Sequence, residues 1–456
     1  MEIDAPESPD LGTEIKDILQ LAAKEPQHSV QHRNILGTIA NFFLGQGALQ
    51  AVNTITALFL VHMLSVEAYA QFGLAYGFQT TANNLMDLGF ASTIIPLVGD
   101  RFEDHVLVGK YVRAASRLRT QAFLILAPIT VVGFFMIGHK HHWNWGLQVL
   151  LVSAVLLALY SSGNVACYSA PFILYRRLKE FYAPQTLLGL ARLLGCGILQ
   201  ILGALNAWTA AALAALNVTT ISKVLAKGSG RLVKWTNGET RSIEQEIIHY
   251  GLPAMPAIIL AAFQSQISLL LISIFGGTVN IAQVAALGRI TQLFMVLQTF
   301  NMVIIEPYIA RLSRERLLKT YVGLVTLASI CFVPVVVFSF TYPTAILWIL
   351  GSKYKGLQDV VGWLVLSSCI NYVAGLAYIM NRARRWVFWS GTILEIVLLL
   401  GVQILFIALV GVRTTRDAIL LSLASSFCYV AAHGYVGIYG FLKGPRVRRA
   451  ESAHSH

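Results

Sequence analysis

Charge is what this sequence has least of. Only 12% of its 456 residues are Asp, Glu, Lys or Arg, against 56% hydrophobic, where a soluble domain carries about 25% charged residues. An ordinary soluble fold is thereby excluded, because water cannot be kept from so much apolar surface; lipid must be the solvent for most of the chain. Cysteine is also scarce. Cys167, Cys196, Cys331, Cys369 and Cys428 all fall inside apolar stretches, which argues against a disulfide framework, and their spacing fits no metal site. The expectation is a protein without metal or cofactor. The cluster His139, His141 and His142 has Lys140 beside it and no nearby carboxylate, so it reads as solvated loop. Residues 1–36 lack the basic start, short apolar core and small-residue cleavage site of a secretory signal. Within them Leu11, Ile15, Ile18, Leu19 and Ala22 recur at helical spacing, the pattern of an amphipathic helix on a membrane surface or of a solvent-facing one.

What the chain has in abundance is long apolar runs. A helix needs about 20 apolar residues to cross the hydrocarbon core, and twelve stretches qualify: 37–61, 69–97, 119–138, 146–168, 184–204, 207–222, 247–275, 279–306, 320–340, 358–380, 387–410 and 417–441. Cationic loops face the cytoplasm. With the N-terminus inside, 27 of the 34 Lys and Arg fall on inner segments. Only Lys140, Lys353, Lys355, Arg413 and Arg416 fall outside, and Arg192 and Arg289 lie within helices. The net charge of +12 is thus a topology signal with an attraction to anionic membrane lipids, and nucleic acid is not implied. The predicted fold is an all-α integral membrane protein with both termini inside.

The polar stretch 223–245 divides the chain evenly. The expected organisation is a cytoplasmic segment 1–36, a six-helix lobe 37–222, a cytoplasmic linker 223–245, a second six-helix lobe 246–441 and a basic tail 442–456. Six spans per half make any internal repeat a parallel one; Ala70-Gln71 and Ala282-Gln283 correspond at an offset of 212.

Polar groups inside a membrane are costly, about 2.5–3.5 kcal/mol each for charged ones, and mark cavities or partners. Thr80, Asn83, Asn84 and Asp87 occupy one face of the second span, at i, i+3, i+4 and i+7. Arg289 and Gln292 share a face of the eighth, Arg192 lies deep in the fifth, and Gln264 lies in the seventh. Together they predict a hydrophilic, partly cationic cavity between the lobes, with Arg192, Arg289, Thr80, Asn83, Asn84, Gln292 and Gln264 as substrate-binding candidates. Interhelical bonding that holds the bundle together is the alternative for these groups. Asp87 and Glu306 are candidates for coupling or gating. Asp87 stands two residues before Gly89 and Glu306 beside Pro307, so shaping a helix end is the competing role of each. Glu395 reads as a partner for a neighbouring helix.

Several segments resemble the polysaccharide (Wzx-type) flippase family of the superfamily that also contains multidrug-and-toxin extruders and lipid-linked peptidoglycan precursor flippases. Gly45-Gln46-Gly47 precedes Leu64-Ser65-Val66-Glu67-Ala68-Tyr69, similar to that family's turn after the first helix; Asp87-Leu88-Gly89-Phe90, Gly251-Leu252-Pro253 and the run from Leu347 to Tyr354 are similar to later segments. The resemblance implies two lobes rocking in alternating access. It implies a polyprenyl-diphosphate-linked oligosaccharide as substrate, a bacterial plasma membrane as location, and a polysaccharide polymerase and export machinery as partners. Arginines in the cavity suit a diphosphate. A proton- or sodium-coupled drug or metabolite extruder of the same fold is the rival, although cation export favours carboxylates. An enzyme acting on lipid-linked sugars is the third class. It would favour an outer loop with acid/base groups, whereas the longest outer segment, 341–357, offers Lys353, Tyr354 and Lys355 but no histidine or carboxylate.

Overall fold

A computed structural model describes residues 35–98, 101, 103–175, 177–235, 240–252, 255–384, 386 and 388–443. The amphipathic pattern of residues 11–22 lies outside the described residues. All regular structure among them is helical. In chain order the helices are α1 (Ile35–Met63), α2 (Val66–Asp87), α3 (Phe90–Val98), α4 (His105–Lys140), α5 (Trp145–Leu174), α6 (Leu178–Ile201), α7 (Ala207–Leu232), α8 (Arg241–Gly251), α9 (Met255–Gln264), α10 (Ile267–Phe275), α11 (Thr278–Phe300), α12 (Glu306–Arg311), α13 (Arg314–Thr341), α14 (Pro343–Trp348), α15 (Gln358–Ala383), α16 (Trp389–Leu409) and α17 (Thr415–Lys443). A π-turn (Asn301–Ile305) joins α11 to α12, and a 3-10 turn (Ser352–Leu357) precedes α15.

These elements make about twelve membrane spans. Three of them are interrupted: α2 with α3, α9 with α10, and α11 with α12 across the π-turn. Seven helical segments among the described residues are long and apolar enough to cross a membrane on their own, and α9 with α10, bent by 54°, forms an eighth. Spans α2, α6 and α11, which carry Thr80, Arg192 and Arg289, are not among those eight. α7 runs on to Leu232, beyond the predicted end of the sixth span, and α4 begins at His105, fourteen residues before the predicted start of the third.

Local chemistry sets the helix ends. Ser65 is the N-cap of α2, its Oγ accepting from the Ala68 N–H at 3.1 Å, with Glu67 in the first turn; this accounts for the Ser-x-Glu pattern of the segment. Asp104 and Asn144 cap α4 and α5 in the same way, and Asn206 with Thr209 forms a capping box at α7. The break after α2 is built from two left-handed residues, Leu88 (φ 40°) and Gly89 (φ 84°). Glycine accepts that conformation freely and leucine does not.

Helices α1 to α7 pack on one another, with α5 against α7 and α1 against α6 most extensively; α10 to α17 form a second group centred on α15 and α17. These two six-span lobes meet where α2 lies against α9, α10 and α11. Lipid supplies no hydrophobic drive between helices, so close approach rests on small residues. At the seam, a Cβ added to Gly73 would come within 2.6 Å of Ala285 Cβ, and one added to Gly77 within 2.5 Å of Leu269.

Candidate functional site

The side chains that matter gather on α2, where α11 packs against it across the seam. Arg289 of α11 is buried. Its Nε donates to the Tyr69 hydroxyl across the lobe seam at 3.0 Å, and its Cζ lies 4.6 Å from the centroid of the Tyr76 ring. Both tyrosines belong to α2, seven residues apart, on the face that also carries Gly73. A guanidinium over an aromatic face gains roughly 2 kcal/mol when desolvated. Arg192 of α6 lies within electrostatic reach of Tyr76 and of Arg289. Its Nε is closed to solvent and has no hydrogen-bond partner. Neither arginine has a carboxylate partner among the described residues. Two like charges held near one tyrosine in a low-dielectric region repel each other.

The stripe on α2 divides. Thr80, half-buried, donates its hydroxyl to the Tyr76 carbonyl at 2.9 Å, next to the arginines, and Asn84 is half-buried one turn further on. Asn83 and Asp87 turn instead into the first lobe. Arg119 of α4 donates one Nη to Asp87 Oδ1 and the other to Asn83 Oδ1, the latter at 3.0 Å. Asp87 Oδ1 also accepts from the Ala91 N–H at 3.3 Å, which fastens the carboxylate to the first turn of α3. Arg119 is only 3% exposed, and the absence of a side chain on Gly163 makes room for it, since a Cβ there would lie 3.0 Å from its Nε.

Gln292 is half-buried one turn beyond Arg289. Gln264 lies elsewhere: its amide exchanges hydrogen bonds with that of Gln403 at 3.0 and 2.8 Å, and Gln403 donates to Ser425 Oγ at 3.1 Å. This network ties α9, α16 and α17 together within the second lobe. Glu306 holds Arg382 of α15 in a two-pronged pair at 3.0 and 2.5 Å. The structure therefore sets Arg289 on Tyr69 and Tyr76 with Arg192 in electrostatic reach, and assigns Asn83, Asp87, Gln264 and Glu306 to bonds between helices. Tyr69, Tyr76 and Arg119 are the residues that sequence reasoning passed over. Arg119, the first residue of the predicted third span, counts among the 27 inner cations, yet Val108, Tyr111, Val112, Ala115 and Arg119 recur on one helical face, and that is the available signal.

At the loop end of the bundle that carries few cations, the lobes are joined by polar contacts. Lys353 Nζ donates to the carbonyls of His62 and Leu64 at 2.6 Å each. His141 Nε2 donates to the Ser273 carbonyl at 2.9 Å, and its Nδ1 accepts from the Thr278 hydroxyl at 3.2 Å. Of the three loop histidines, His141 is thus a cross-lobe contact.

No family model matches the sequence, and no curated protein matches it. Solved structures do match the fold. A lipid II flippase, MurJ, in an inward closed conformation superposes with a TM-score of 0.65 at 12% identity, over 88% of this chain and 89% of that one. An inward-facing multidrug resistance MATE family transporter of the MOP superfamily gives 0.63 at 13% identity, over 87% and 96%. The eukaryotic MATE transporter AtDTX14 gives 0.56 at 12% identity, over 88% and 96%. The chain has the fold of this class of membrane proteins: two six-helix lobes around a central cavity.

Proposed function

We propose that this chain is a flippase that moves a polyprenyl-diphosphate-linked oligosaccharide from the inner to the outer leaflet of a bacterial plasma membrane. The carrying observation is Arg289 seated on Tyr76, with Arg192 in electrostatic reach of both and no carboxylate paired with either arginine among the described residues. Arginine forks match phosphate oxygens, and a diphosphate offers the two charges that such a pair lacks. In this reading Thr80, Asn84 and Gln292 supply donors and acceptors for the first sugar. One lobe rocks against the other about the seam between α2 and α11. In this reading both termini are cytoplasmic, the end held by Lys353 and His141 is outer, and the polymer is completed by a polymerase and export machinery. Among the fold neighbours is a flippase of lipid II, itself a lipid-linked substrate.

The rival, an ion-coupled multidrug or metabolite extruder, draws on the MATE neighbours. It asks for a free carboxylate facing the cavity, and Asp87 and Glu306 are each held by an arginine. The deciding experiment is a deletion strain assayed for surface polysaccharide and lipid-linked intermediates. Loss of polymer with repeat units accumulating on the cytoplasmic face, rescued by the wild-type gene but not by Arg289→Ala or Arg192→Ala, is the expected result. Unchanged polysaccharide with new sensitivity to cationic drugs would overturn it.

A further inference from the structure

Helix α15 is the best buried of the apolar spans among the described residues, and beyond its first turn it leaves only Asn371, Tyr378 and Arg382 exposed. These three stand at i, i+7 and i+11, on one face of the helix. Neighbouring helices flank that face on both sides. On one side Tyr372 donates to Asn301 Oδ1 at 2.9 Å and Arg382 holds Glu306 of α12. On the other, Ser367 meets Ser426 Oγ of α17 at 3.1 Å, and Asn381 donates to the His433 carbonyl at 2.9 Å. Helix α13 packs on the opposite side, where a Cβ on Gly362 would come within 2.6 Å of Phe340. Because α10 packs on both α11 and α17, the stripe opens into the space that these helices enclose. Asn371 agrees with that placement. It lies seven residues further into the span than Tyr378, about 10 Å at helical rise, where hydrocarbon would leave its amide unbonded.

The Tyr378 ring is 47% exposed. Arg382 Cζ lies 5.8 Å from its centroid and the His433 ring 5.2 Å from it. Glu306 and Arg382 neutralise each other and still keep 26% and 40% of their side chains exposed. Gly375, having no side chain, leaves room beside the Gln298 amide, whose Nε2 is 3.7 Å from where a Cβ would stand. We infer that this stripe is a saccharide-binding platform of the second lobe, distinct from the arginine site on α2. Tyr378 offers a flat apolar face to the C–H side of a sugar ring, while Arg382, Glu306, Asn371 and Gln298 offer donors and acceptors to its hydroxyls. The inference rests on the flippase reading and deepens it. Arg289 and Glu306 are seventeen residues apart along α11 and α12, roughly 25 Å at helical rise. A diphosphate at Arg289 and the distal sugars at Tyr378 are then two ends of one substrate, which makes the glycan an oligosaccharide. The platform carries no net charge, so a neutral, hydroxyl-rich occupant fits it, and a drug cation finds no unpaired carboxylate in it.

The test compares two probes on the full chain in lipid nanodiscs, with affinities read by native mass spectrometry: bare polyprenyl diphosphate, and the lipid-linked oligosaccharide extracted from the deletion strain. The wild type is expected to bind the glycan-bearing lipid about tenfold more tightly than the bare one. Tyr378→Leu should erase that preference while still binding the bare lipid, Tyr378→Trp should keep it, and Arg289→Ala should weaken the binding of both probes. If Tyr378→Leu does not insert, Asn371→Leu, at an exposed position, serves in its place and should reduce the preference. Equal affinities in the wild type, or a preference unchanged in these variants, would overturn the platform and leave the flippase reading standing. A wild type that binds neither probe would overturn that reading, and the platform with it.

Discussion

The ammonium of Lys353 crosses the lobe seam to lie 2.6 Å from the carbonyl oxygen of Leu64, and it reaches the His62 carbonyl at the same distance. A lysine of the second lobe thereby satisfies carbonyls at the end of α1 that a helix terminus leaves without intrahelical partners. Hydrogen bonds from a charged donor contribute about 1.5–3 kcal/mol. Loss of about 2 kcal/mol shifts a two-state equilibrium by roughly thirtyfold. Lys353→Ala is therefore expected to favour the outward-open state. A cysteine placed at Ala285, against Gly73 in the seam, should react faster from outside with a membrane-impermeant maleimide in this variant than in its Lys353 parent.

Asp87 holds a buried arginine, and that makes its removal a matter of stability first. Asp87→Ala strands Arg119 without a counter-charge, which costs about 3 kcal/mol or more. Thermal unfolding in detergent should show a marked drop in Tm, smaller for Asp87→Asn, which keeps a polar partner. The double variant Asp87→Ala with Arg119→Leu should recover part of the loss. A wild-type Tm in Asp87→Ala would show that the pair contributes nothing to folding.

Gln264, as a polar residue of the seventh span, is a substrate-binding candidate on sequence alone. Its reciprocal amide pair with Gln403 leads to a different expectation. Gln264→Leu should lower stability by about 1 kcal/mol and leave flipping intact; a severe transport defect in a stably inserted protein would return Gln264 to the cavity.

At Arg289, charge alone is not expected to suffice. A lysine keeps the positive charge but cannot both bond Tyr69 and lie flat on Tyr76. Arg289→Lys should therefore complement a deletion strain poorly, and Tyr76→Leu should weaken transport without loss of expression. Full complementation by Arg289→Lys would reduce the residue to a point charge.

These contrasts show which levels of the structure were legible in the sequence. The spans were, because lipid demands long apolar helices and the charges between them alternate. The coarse location of Arg192 and Arg289 was also legible, since few residues compete for notice inside apolar runs. Partners were not. Whether Asn83 and Asp87 face a cavity or a neighbouring helix depends on the turn at Leu88 and Gly89 and on the rotation of α4, and a single helical periodicity carries neither. Arg119 is concealed by its neighbours: Arg113 and Arg117 make the segment look like a cytoplasmic loop, although α4 is continuous there and buries the face that carries Arg119. Tyr69 and Tyr76 were unremarkable as aromatics in a membrane helix until Arg289, 220 residues away for Tyr69, gave them a role.

The π-turn at Asn301–Ile305 amounts to one residue more than a regular helix would use to cover the same length. Its Asn301 Oδ1 accepts from the Tyr372 hydroxyl of α15 at 2.9 Å, so the bulge is pinned to the helix that also bears Arg382. Winding the same residues as a regular α-helix would carry everything beyond the bulge about 100° around the axis and ~1.5 Å along it. Glu306 would face away from Arg382 while Arg289, upstream, stayed in place. The span is thus indexed in two independent halves, one registered on the first lobe and one on the second, with the surplus residue serving as the joint between two rulers.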